Sequence, residues 1–444
     1  MQQWLGMSAG DLGRGIGRGE IDPVDLLGVY LGAIEEHEFR DRIYARLTVA
    51  RAEAEAAAAA ERAKAGQRRG VLDGVPISWK DLFDTSGVAT EAGSLLLKGR
   101  VPARDAEVVR NAGEAGLVCL GKTHMTELAF SGLGYNPSTE SPPCVNDLAS
   151  VSGGSSSGAA TSVAFGLAAC GIGSDTGGSV RIPAAWNDLV GLKTTHGRVS
   201  LKGVVPLCGT FDTVGPLCRT VEDAALMLAA LEGGRAADLR GATLKGKRLA
   251  VLRTVALEDV REGPLKGFEG AVARLKDGGA VVEEIDAPEV AAAMALSGVL
   301  FTADAYGRWR DVIEAAPGKM FDQVLERFRG GRVHSGADYV AAWIALRAAR
   351  QVWAERVAGY DAVMVATSPI LPPNLARLER DKAYFAAENL LALRNTRIGN
   401  LMGLCGVTLP TGVASCGITL YGAAGGEERV LRLAAAAEAV LANG

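Results

Sequence analysis

The sequence predicts an α/β fold, one large domain in which a mixed β-sheet is covered by α-helices on both faces. Three observations carry that prediction. Short apolar runs of strand length alternate with longer segments whose apolar residues recur at helical spacing. Glycine-containing turns, not polar linkers, separate them. No shift of composition and no internal repeat divides the chain, so residues 1–444 read as a single domain. With 48% hydrophobic and 22% charged residues, 444 residues suffice to bury such a core.

The elements follow in order. Apolar spacing predicts a helix from Pro23 to about Arg40 and a second from roughly Arg46 to Gly66. The stretch "GVLDGVPISWKDLFDTSGV" holds a short apolar strand flanked by glycines, and "AEVVRNAGEAGLVCLGKTHMTEL" reads as a helix closing at glycine before the strand "LVCLGK". The centre, Ser150 to about Pro216, is Gly-rich but never polar for long; a helix from Thr220 to Glu232 follows it. Residues 247–285 give strand, helix, strand. A helix is expected from Asp338 to Val357, then the buried strand "YDAVMVATSP". The closing "ASCGITLYGAAGGEERVLRLAAAAEAVLA" is strand, Gly turn and amphipathic helix.

Bulk properties exclude several classes. A formal net charge of -4 without a basic run gives nucleic acid nothing to bind. The amino end "MQQWLGMSAGDLGRG" lacks the basic start and apolar core of a signal peptide. The nearest approach to a long apolar run, "AEAEAAAAAERAKAG", carries Glu, Arg and Lys and reads as a soluble helix, so no membrane partner is expected. Seven scattered cysteines without a CxxC pair fit reduced thiols and a cytoplasmic location better than disulfides or zinc. No metal and no cofactor is expected. Nothing in the pattern specifies an oligomeric state. Only four histidines could serve a catalytic pair: His37 and His334 in polar surroundings, and His124 and His196 beside more suggestive segments.

Those segments are two Gly/Ser knots. "SVSGGSSSGAATS" runs from Ser150 to Ser162, and "GSDTGGSVRIPA" follows after an apolar stretch. Taken singly, a Gly/Ser run is ordinarily a loop, "TGGS" can be a tight turn, and a lysine ending a strand, such as Lys80 in "GVPISWKD", is ordinarily solvated. Two glycine clusters joined by an apolar segment instead suggest backbone brought close to something small. A phosphate cradle does not fit the pattern. A Walker loop needs Lys and Ser/Thr directly after its last glycine, and a dinucleotide fingerprint needs three glycines at set spacing; neither is present.

The whole chain resembles the amidase signature hydrolases, most densely from Leu72 to Pro216. The resemblance rests on "LDGVPISWKD", "LGKTHMTELAFSGLGYN", "SGGSSSGAATSVAFGLAACGIGSDTGGSVRIPAAWNDLVGLKTTHGRVS" and "FDTVGPLCRTVEDAA". Ser155 lies 75 residues after Lys80 and 24 before Ser179, the spacings of the family. The resemblance implies Ser179 as nucleophile, Ser155 as bridging serine after a cis Gly154–Ser155 bond, and Lys80 as base. It further implies Thr176, Gly177 and Gly178, with the Ser179 amide, as the oxyanion hole, and Met125 and Gly154 as substrate contacts. Substrate selection in the family comes from variable segments, here "TESPPCVND" and about 290–340. This chain departs from relatives at Trp79, Leu82 and His196, the last expected as a buried structural histidine. Arg181 is expected to brace its loop.

The chemistry suits those residue types. A serine hydroxyl needs a neighbouring base, and with histidine scarce a lysine can serve. Lysine titrates near ~10.4 unless burial keeps it neutral, and Lys80 ends an apolar run. A bridging serine could relay the proton and return it to the departing nitrogen. Bare amides in "TGGS" could hold an oxyanion, each donor being worth about 3 kcal/mol. The expected function is therefore hydrolysis of C–N bonds in a small-molecule amide, anilide or carbamate. The alternatives are the glutaminase subunit of a tRNA-dependent amidotransferase, which this chain is somewhat short to be, and a non-catalytic scaffold. A site without metal ligands makes one outcome definite: turnover measured after dialysis against a chelator should match that of untreated protein, and a large loss would contradict the scheme.

Overall fold

The computed structural model describes residues 1–442. Its strands are β1 (Tyr44–Leu47), β2 (Pro76–Lys80), β3 (Val118–Thr123), β4 (Pro143–Cys144), β5 (Asp147–Val151), β6 (Cys170–Ser174), β7 (Val190–Lys193), β8 (Val214–Cys218), β9 (Arg248–Leu252), β10 (Val281–Ile285), β11 (Ala362–Ala366), β12 (Cys405–Pro410) and β13 (Gly417–Gly422). Eleven form one sheet in the order β1-β3-β2-β6-β8-β7-β12-β13-β11-β9-β10, and β4 pairs with β5 as a separate ribbon. The sheet is mixed: β3, β2 and β6 run parallel, as do β10, β9 and β11, with antiparallel pairings between. This is the α/β architecture that the sequence predicts.

Burial follows position in the sheet. Strands β2, β6, β7, β8 and β13 are buried along their whole length, as strands covered on both faces must be. At one edge, β10 reads "VVEEI" and stays mostly exposed, its glutamates discouraging pairing with a stray strand. Helix ends carry their expected signals. Thr220 caps Val221–Glu232 by accepting from the Asp223 amide, and Gly233 closes it in the left-handed region.

The differences from the sequence reading have local causes. The expected helix from Arg46 begins instead at Val49, because Tyr44–Leu47 pairs with β3 as an edge strand. Strands β6, β7 and β8 lie within the Gly-rich centre, where too few side chains alternate to mark a strand. The most apolar long helical run is Pro288–Ala315, not the Ala-rich segment. By length and composition it could cross a membrane, but it breaks at Leu296 and buries Leu300, Phe301, Tyr306 and Trp309.

One packing contact positions the site. Parallel β2 and β6 are neighbours, so Lys80 and Ser174 end at the same edge of the sheet. The helix Ser157–Ala164 lies on them, with Ser162 Oγ 2.8 Å from Ser78 Oγ. It comes so close that a Cβ on Gly171 would stand 2.3 Å from the Ala159 carbonyl oxygen. Gly171→Ala should therefore lift this helix and cost about 1–3 kcal/mol, read as a lower urea midpoint with unchanged slope.

Candidate active site

Lys80 ends β2 fully buried. Its Nζ lies 2.7 Å from Ser155 Oγ, 3.0 Å from Ser156 Oγ and 2.8 Å from Ser174 Oγ. No carboxylate among the described residues forms an ion pair with it. Burial pulls the amine down to about 7, against the Asp175 and Asp212 charges, which favour its protonated form. As an ammonium, Nζ would donate to all three hydroxyls; as a neutral amine it has two N–H groups and a lone pair, so one serine must donate to it. Ser156 directs its proton to the Ser174 carbonyl oxygen at 3.2 Å, which leaves Ser155 and Ser174 as the donors.

Ser155 follows a cis peptide bond from Gly154 and is fully buried. Ser179 sits in the turn between β6 and the helix Arg181–Trp186, 3% exposed and facing a cavity. Its carbonyl accepts from the Ser156 amide at 3.2 Å, which joins the two Gly/Ser knots through the backbone. The Ser179 hydroxyl itself bonds to none of the described residues. Ser155 and Lys80 are thus in direct contact, whereas the expected Ser155–Ser179 hydrogen bond is open in this structure.

A buried charged network fixes the turn. Asp175 accepts from Arg181 Nε and Nη2, both at 2.9 Å, from the Gly178 amide at 2.8 Å and the Val180 amide at 3.2 Å. Burial alone would raise this carboxyl; Arg181, Lys193 and Asn400 hold it well below the usual range. Arg181, fully buried, also donates to the Thr396 carbonyl at 2.6 Å, Tyr421 Oη at 2.7 Å and Asn400 Oδ1 at 2.6 Å. It braces the loop, as expected of it. Asp212 takes Thr176 Oγ1 at 2.6 Å.

The network engages one of the expected oxyanion donors. Gly178, at φ +136°, turns its amide to Asp175, and a Cβ there would stand 2.1 Å from Thr396 Oγ1. Among the described residues the amides of Thr176, Gly177 and Ser179 have no acceptor, and all three residues line the cavity. Two further expectations have no counterpart in the cavity lining. Met125 is fully buried with its carbonyl accepting from Asn136, and Gly154 packs its Cα against Gly134 and Thr126. His196 is exposed, not buried, its Nδ1 2.9 Å from the Asp212 carbonyl oxygen. Trp79 is a core residue packed edge-on to Phe83.

The cavity holds about 260 Å³. Ser179, Thr176 and Gly177 meet there with Ser131; Phe130, Leu207, Phe301 and Leu393 supply apolar wall. Of the segments expected to select substrate, 290–340 contributes Ser297, Gly298, Phe301, Thr302, Glu326, Arg327 and Gly330, while 139–147 goes to the β4–β5 region and stays away. Sequence reasoning missed Ser174, Asp175, Asp212, Arg327 and Arg397. Ser174 and Asp175 stand inside the "GSDTGGS" knot and Asp212 inside "FDTVGPLCRTVEDAA", but Arg327 and Arg397 had no local signal.

The fold, a large mixed sheet flanked by helices, is that of the amidase enzymes on which this chain superposes. The family model described as Amidase matches residues 25–431, and the chain belongs to that family. It is 33% identical over 438 residues to 2-amino-5-chloromuconic acid deaminase of Comamonas testosteroni, covering 96% of this chain and 94% of that one. It is 43% identical over 235 residues to one component of the glutamyl-tRNA(Gln) amidotransferase of Anaeromyxobacter dehalogenans, 52% of this chain and 47% of that component, so the match spans about half the length of that relative. Peptide amidase from Stenotrophomonas maltophilia superposes with a TM-score of 0.81 at 27% identity, covering 98% and 96% of the two chains.

The depressed Lys80 makes folding depend on pH. Between about pH 7 and 10.5 the unfolded chain holds a proton at Lys80 that the folded chain lacks, so stability rises with pH across that window and falls as pH drops toward 7. Lys80→Met should lose that part of the slope, read as denaturant midpoints of variant and native protein across the window.

Proposed function

We propose that this enzyme hydrolyses small-molecule amides, anilides and carbamates included, with Ser179 as nucleophile, Ser155 as bridging serine and Lys80 as base. The observation that carries this reading is a fully buried amine without a carboxylate partner, 2.7 Å from Ser155, whose neighbour Ser156 donates its amide to the Ser179 carbonyl. Neutral Lys80 takes the Ser155 proton while Ser155 takes that of Ser179. The Ser179 oxygen then bonds to the acyl carbon, and the oxyanion is met by the free amides of Thr176, Gly177 and Ser179. The relay reverses to protonate the leaving nitrogen, the C–N bond breaks, and water releases the acyl group by the same route. The open Ser155–Ser179 contact closes when substrate docks, as apo catalytic hydrogen bonds commonly do.

The seven cysteines are all free and buried, which supports a reducing, cytoplasmic setting. A second reading, the glutaminase subunit of a tRNA-dependent amidotransferase, is favoured by the 43% identity of one 235-residue stretch. The near-full-length match to a small-molecule deaminase supports the stand-alone reading. Glutamine turnover that appears only with added partner proteins would decide for the amidotransferase.

A serine-directed fluorophosphonate should label native protein and not folded Ser179→Ala. Lys80→Ala should abolish turnover of aryl amides and carbamates, and native kcat/KM should climb with pH through about 7 as the amine loses its proton. Unlabelled native protein, or near-native turnover in Lys80→Ala, would refute these assignments.

A further inference from the structure

Two arginines line the cavity that holds Ser179, and neither has a counter-ion among the described residues. Arg327 lies over the Phe130 ring, 4.6 Å from its centroid, and its Nε is buried with no hydrogen-bond acceptor. Arg397 reaches the same cavity from the helix Arg394–Leu401, and its guanidinium makes no hydrogen bond or ion pair with any described residue. The contrast with Arg181 is informative, since that buried guanidinium is saturated by Asp175, Asn400, Tyr421 and Thr396. The acid in the described lining, Glu326, is bonded to Arg329 and its side chain is 71% exposed. The rest of the wall is apolar or hydroxylic.

We infer that the cavity is built for an amide that also carries a carboxylate, held by Arg327 and Arg397 at the end away from the scissile bond. This rests on the catalytic reading above and names its substrate class. A guanidinium presents a planar fork that fits a carboxylate with two parallel bonds. An unpaired buried charge is costly, and an anionic ligand removes that cost on binding. Burial and the like charge of Arg397 pull Arg327 down to about 9, and burial pulls Arg397 to about 10, so both remain cationic at neutral pH. The same lining disfavours an amino acid: its ammonium would enter beside two cations, and the carboxylate of the lining, Glu326, is turned largely to solvent.

Three matched amides test this: glutaramate, pentanamide, which replaces its carboxylate by methyl, and L-glutamine, which adds an ammonium. Native protein should show kcat/KM for glutaramate about a hundredfold above pentanamide, ~2.7 kcal/mol at 1.36 per decade, and above glutamine. In Arg327→Met and in Arg397→Met the glutaramate-to-pentanamide ratio should fall at least about tenfold. Thermal midpoints of both variants should hold or rise, because each removes an unpaired charge; a merely structural arginine would lower them. By calorimetry, glutarate should bind folded Ser179→Ala and bind more weakly once either arginine is also replaced. A native ratio near one, preference for glutamine, or no glutarate binding would overturn the inference. Turnover by Ser179→Ala would instead sink the catalytic reading, whatever the ratio.

Discussion

The ion pair of Asp175 and Arg181 is the constraint on which the site depends. Both side chains are fully buried, and between them they engage the turn after β6, the helix Arg394–Leu401 and Tyr421 of β13. Such a pair contributes little net stability once desolvation is counted, but it cannot be half broken without severe cost. Its effect is therefore geometric. Asp175 draws the Gly178 amide inward, which turns the chain so that Ser179 faces the cavity and the neighbouring amides are left free.

The same pair shapes the electrostatics of Lys80. A carboxylate bonded to the lysine would stabilise an ammonium and keep it charged. Here the nearby Asp175 is already matched by Arg181, and Asp212 is taken up by Thr176 and the amides of Leu207 and Cys208. The amine sees their residual field, which is weaker than the penalty of burial. Three hydroxyls replace a counter-ion, and hydroxyls can both give and take a proton.

Much of this was legible in the chain. The alternation of strand and helix is visible because the helices Val221–Glu232 and Gly336–Val357 carry their caps in the sequence, and β2, β3 and β11 are dense apolar runs. Lys80, Ser155 and Ser179 were readable from motif and spacing, and the cis bond and the Lys80–Ser155 contact agree with that reading. What stayed hidden is non-local. Strand β6 reads "CGIGS", whose glycines serve close packing and erase the strand pattern. Strand β12 acquires its identity by pairing with β7 and β13. Arg327 and Arg397 are separated by 70 positions and look like ordinary helix-surface cations until the fold turns both toward one cavity. The engagement of the Gly178 amide by Asp175 stayed hidden because an amide's direction is set by a carboxylate whose own partner Arg181 is held from another helix.

The cavity draws its floor from turns at the sheet edge and its far wall from helices that contribute no strand: Ser297 to Thr302, Glu326 to Gly330, and Leu390 to Arg397. Mutational drift in the first two can therefore remodel the wall without disturbing the floor, whereas Leu390 to Arg397 is tied to the turn through Thr396. Descendants of such a scaffold can acquire new diets by editing a few helix-borne residues while the inherited engine goes untouched.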